Sequence, residues 1–117
     1  MKNVTLVILC TLLMLSSSVF AHDRKVGILI DATCGKRLVN SPDEAKAHLV
    51  SCCLKESCAK SGFGVIVDGK FYKFDKMGDK LATVILKSTG RKSGVRVRVD
   101  AHFDADPISP GILESIN

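Results

Sequence analysis

Two β-rich runs, Phe63-Gly64-Val65-Ile66-Val67 and Lys70-Phe71-Tyr72-Lys73-Phe74, are separated only by Asp68-Gly69. Asp-Gly accepts positive φ at both central positions of a two-residue turn, and the twist of that turn matches the strands beside it. Residues 62–74 are therefore predicted to form a tight hairpin. Its register pairs Val67 with Lys70, Val65 with Tyr72 and Phe63 with Phe74 on one face. A second strong pattern runs from Val95 to Phe103: Val95, Val97, Val99, Ala101 and Phe103 alternate with Arg96, Arg98, Asp100 and His102. Strict alternation of this kind predicts a half-buried antiparallel strand.

The other elements follow from weaker signals. Val26 to Ala32 is a short branched apolar run closed by the turn-prone Cys34-Gly35-Lys36, and reads as a buried strand. Ser41, Pro42 and Glu44 mark a helix start, and the helix is expected to reach about Leu54. Its apolar positions are Ala45, Leu49, Cys52 and Cys53, and His48 and Cys52 share a face at i, i+4. A second helix is expected over Asp79 to Lys87, with Leu81, Val84 and Ile85 turned inward. Residues 88–94 form a loop, 104–110 a turn and 112–116 a closing strand. No repeat, low-complexity tract or linker interrupts this order.

The predicted fold is thus mainly β with two short helices, a five-stranded OB-fold-like barrel. It carries a helical Cys/His insertion at about residues 34–60. The alternative is an α+β twisted antiparallel sheet with helices on one face.

The start of the chain reads differently. Lys2 precedes the twelve apolar or small residues Val4 to Leu15, then Ser16-Ser17-Ser18 and Val19-Phe20-Ala21. This is the three-part layout of a secretory signal peptide cleaved after Ala21, and its apolar run is too short for a membrane span. Cys10 would leave with it. The mature chain is then one domain, residues 22–117, periplasmic or secreted. Without Lys2 the 17 basic residues become 16 against 12 acidic, a net charge of +4. A domain of this size gains much from a staple.

Residues 30–34 (Ile-Asp-Ala-Thr-Cys), His48 through Cys58, the hairpin from Gly62 to Asp75 and Val95-Arg96-Val97-Arg98-Val99 together resemble small exported bacterial proteins of unknown function. The resemblance spans nearly all of the mature chain. It implies an OB-type barrel with a Cys/His-containing insertion after the first strand, and it implies export. It brings no activity with it. Ala101-His102-Phe103 departs from the pattern, which has a glycine after the valine-rich strand.

Cys34, Cys52, Cys53 and Cys58 remain in the mature chain. An even number in a small exported domain reads first as a disulfide framework. A bridge between adjacent Cys52 and Cys53 is strained, so Cys34 would pair with one of them and Cys58 with the other. Each bridge would contribute about 2–4 kcal/mol. The alternative is a metal site in which Cys34, His48, Cys52 and Cys58 supply one nitrogen and three sulfurs to zinc or copper. Without such a site no cofactor is expected.

Lys87, Arg91, Lys92, Arg96 and Arg98 place five cations in twelve residues with no intervening acid. They are candidate contacts for an anionic envelope component, or for a protein. Nucleic acid fits poorly, because aromatics for base stacking are few and tryptophan is absent. No catalytic signature surrounds His22, His48 or His102, and Asp31, Asp100, Asp104 and Asp106 read as turn-capping carboxylates. The sequence therefore favours a binding or envelope module over an enzyme, with a purely structural or protein-interaction domain as a further alternative.

Overall fold

The computed structural model describes residues 22–116, so the expected signal segment with Cys10, and Asn117, lie outside the described residues. β1 (Asp23–Asp31) runs through the middle of a five-stranded antiparallel sheet. Its first half pairs with β4 (Arg96–Ala101) and its second half with β2 (Phe63–Val67), the change of partner falling at Ile28. β3 (Lys70–Lys73) and β5 (Ile112–Ser115) complete the order β3-β2-β1-β4-β5. The fold is mixed α/β, and the sheet is open rather than closed into a barrel. A parallel bridge from Phe74 to Ile108 ties the end of β3 to the segment leading into β5.

The hairpin has the predicted register, with Val67 opposite Lys70 and Val65 opposite Tyr72. Asp68 and Gly69 both adopt positive φ, at 47° and 74°. Phe74 donates its N–H to Phe63 O at 2.9 Å, extending the pairing by one step. The predicted inner face is buried: Val95, just before β4, and Val97, Val99 and Ala101 within it join Ile30, Val65, Phe74, Leu86 and Ile108 in the core. Phe103 lies beyond the strand and packs edge-on against Tyr72.

Helical structure is more abundant than predicted. The expected turn at Cys34-Gly35-Lys36 is instead part of α1 (Ala32–Leu38), because Asp31 supplies an N-cap. The single helix expected to reach Leu54 is broken into α2 (Pro42–Ala47) and α3 (Val50–Cys53), and a further helix, α4 (Glu56–Lys60), follows it. Pro42 does open α2, but Ser41 makes no side-chain cap. The break falls at His48, which is extended (φ −63°, ψ 127°). Leu49 then pairs with Ser93, and Val50 N–H bonds to Lys92 O at 2.8 Å. Contacts to the loop before β4 thus pull the chain out of the helix.

α5 spans Lys76–Ser88 and buries Gly78, Ala82 and Leu86. Leu81 and Val84, expected to face inward, are exposed. The helix starts three residues earlier than predicted, at a cap the apolar pattern does not register. That cap is Asp75, whose carboxylate accepts from Gly78 N–H at 2.8 Å. A hydrogen bond from Ser109, then the Gly78 amide, hold this carboxyl below its ordinary value.

Asp75→Ala is expected to cost about 1 kcal/mol through the lost cap. A depressed folded pKa stabilises above the unfolded value of about 3.9, and that contribution fades as pH falls through the folded value. Urea unfolding at pH 7 and pH 3 should therefore separate wild type from Asp75→Asn at the higher pH and bring them together at the lower.

Candidate metal centre

The C-terminal end of β1 is covered on both faces: Leu29, Ile30 and Asp31 are all buried. Asp31 is 0 % exposed and is the single charged residue among the buried ones described. Its Oδ2 accepts the Cys34 backbone N–H at 3.0 Å, which caps α1. Its Oδ1 is hydrogen-bonded to His48 Nε2 at 3.1 Å. The extended backbone at His48 aims the ring back at the end of β1.

Sulfur donors gather around the same carboxylate. Asp31, Cys34 and Cys58 offer ligand atoms that all lie within 4.8 Å of one another, and so do those of Asp31, His48 and Cys53. Cys34 comes from α1, Cys53 from the end of α3 and Cys58 from α4. α4 is anchored to α1 by Ser61, whose Oγ accepts Thr33 N–H at 3.2 Å. Zinc bonds of about 2.0–2.3 Å set tetrahedral donors roughly 3.3–3.8 Å apart.

The thiols differ in setting. Cys53 is 3 % exposed, while Cys34, Cys52 and Cys58 are half-buried. Burial is the main reason the Cys53 thiol is pushed up to about 12, with the Asp31 charge adding to it and the Asp31 backbone opposing. Burial also raises Cys34, against the Arg37 guanidinium, which donates to its sulfur at 3.8 Å. Neither is a ready thiolate at neutral pH, which does not suit nucleophilic thiol chemistry. A bound cation reverses that balance through its own charge.

Among the described residues no two cysteines stand at disulfide-bonding distance. Cys58 lies beside Cys34, a pairing that elimination from the sequence had set aside, and Cys53 faces Asp31 and His48. Cys52 belongs to neither triad. Of the expected metal set Cys34, His48, Cys52 and Cys58, three residues thus stand beside Asp31, joined by Cys53 rather than Cys52. The i, i+4 relation that favoured Cys52 needs a helix running through His48, and the helix stops there.

The basic residues do not act as one strip. Arg91 and Arg96 line a cleft of about 480 Å³ together with Lys46, Ser93 and Gly94. Arg98 is engaged by Glu114 at 2.8 Å. Lys87 and Lys92 are exposed, Lys87 in the last turn of α5. Of the remaining carboxylates, Asp100 meets His22 at 3.0 Å and Arg24 at 3.7 Å, whereas Asp104 and Asp106 lie exposed in the turn after β4. Among the described residues no helix is long and apolar enough to cross a membrane.

Compared with known protein families, curated proteins and solved structures, the chain has no significant match in any of the three.

Proposed function

We propose that this chain is a small exported module that binds a thiophilic transition-metal ion, zinc or copper(I), through Asp31, Cys34, His48, Cys53 and Cys58. The observation that carries the reading is the convergence of two donor triads on one fully buried carboxylate. Burying a charge is costly without compensation. His48 and the Cys34 amide compensate Asp31 in part, and a cation would do so more fully. Imidazole and thiolate are the ligands that zinc and copper(I) prefer. The proposal keeps the periplasmic or secreted location, which rests on residues 1–21. It also keeps an OB-like barrel as the parent architecture, supported by the parallel bridge between Phe74 and Ile108.

The competing reading is the disulfide staple with an unassigned ligand. One experiment separates the two. The protein is reduced, stripped of metal and titrated with Zn²⁺ or Cu⁺ against a chromophoric chelator. Metal uptake is expected, with His48→Ala weakening it at least about tenfold, as loss of a ligand or its immediate support does. No uptake, with the protein as isolated and before reduction showing a denatured mass about 4 Da below the reduced value and no thiol open to labelling, would instead establish two bridges.

A further inference from the structure

The donors do not gather as a single tetrahedral set. Among the described residues they form two groups of three that share only Asp31: Asp31 with Cys34 and Cys58, and Asp31 with His48 and Cys53. The carboxylate is disposed to serve both. Its Oδ1 faces His48 and its Oδ2 faces the backbone of Cys34, and each oxygen has two lone pairs.

With one ion in each group, the Asp31 carboxylate is the ligand common to both. Each ion would have three protein ligands and a fourth position left for water or a further ligand.

We infer that the cluster holds two divalent ions of the zinc type, one in each triad, bridged by the Asp31 carboxylate. This rests on the metal-binding reading above and goes beyond it in stoichiometry and in the role of Asp31. The inner ion sits with His48 and the deeply buried Cys53. The outer ion sits between α1 and α4, where Cys34 and Cys58 are half-buried.

The test is metal counting by native mass spectrometry on the reduced, metal-stripped protein loaded without oxygen with Zn²⁺ alone. Co²⁺ absorption serves as a second readout, and circular dichroism verifies that each variant is folded. Wild type is expected to take up two ions. Cys34→Ser/Cys58→Ser alters only half-buried thiols and should retain one. His48→Ala should also retain one, and Cys53→Ala provides the same inner-site deletion through a different residue. Saturation of wild type at one ion, with that ion lost in both the outer and the inner variants, would overturn the two-ion arrangement and leave the metal-binding reading standing. Absence of any ion in wild type, with its thiols labelled, would overturn both.

Discussion

Asp31→Ala is expected to lower stability by about 3 kcal/mol and to abolish metal uptake, whereas Asp31→Asn is expected to retain most of the stability and lose most of the uptake. The alanine variant removes the N-cap of α1, worth about 1 kcal/mol. It also leaves the His48 ring nitrogen without its partner in a half-buried position, which costs about 1–3 kcal/mol. Asparagine restores an acceptor for Cys34 N–H in nearly the same volume and offers its amide N–H to the His48 ring nitrogen, but it does not restore the charge. Urea unfolding and zinc counting on the two variants measure these effects separately. If Asn were as unstable as Ala, the carboxylate's charge rather than its hydrogen bonds would be holding β1, α1 and His48 together. If Asn bound zinc as well as wild type, Asp31 would be a scaffold residue and the ligands would be the sulfurs and His48 alone.

This dual role of Asp31 marks where sequence reasoning reached its limit. A carboxylate at the end of a strand usually caps whatever follows, and Asp31 does cap α1. Its second partner lies 17 residues along the chain, and no local pattern encodes that contact. The Asp68-Gly69 turn and the alternation in β4 were legible because their determinants are local: positive φ at two adjacent residues, and a period of two. The four cysteines and His48 were legible as a cluster for a related reason, their closeness in sequence and their residue types.

Choosing between Cys52 and Cys53 was a different matter. It depends on where the helix after Ser41 stops, and the stop at His48 is imposed by the pairing of Leu49 with Ser93 and by the pull of Asp31 on the imidazole. Both are tertiary contacts that override a continuous helical pattern. The start of α5 was missed by a similar margin. The exposed Leu81 and Val84 fit an apolar helical face as well as the buried Ala82 and Leu86 do, and packing of the latter pair into the core decides between the faces.

The other large effect is expected at Gly27, in the part of β1 that leads into the site. A Cβ built there would lie 2.2 Å from Ile66 O, 2.7 Å from Val65 Cγ2 and 2.8 Å from Val67 Cγ2. The nearest obstacle is backbone, so no rotamer change relieves it. Gly27→Ala must push β1 away from β2 next to Ile28, the residue through which β1 pairs with both β2 and β4. The cost should exceed the about 1–3 kcal/mol typical of one added carbon in a packed core. That is a large share of the roughly 5–15 kcal/mol that holds a domain together. A fall in melting temperature of more than about 15 °C is expected for a chain of this size. Gly90→Ala is the control, because nothing lies within 4 Å of its Cβ position; it should melt within about 0.5 kcal/mol of wild type. Because Asp31 lies four residues beyond Gly27 on the same strand, a Gly27→Ala protein that still folded should hold metal more weakly. An unchanged melting temperature would mean that β1 and β2 have room between them at this point, and that the close crossing which positions Asp31 is not required.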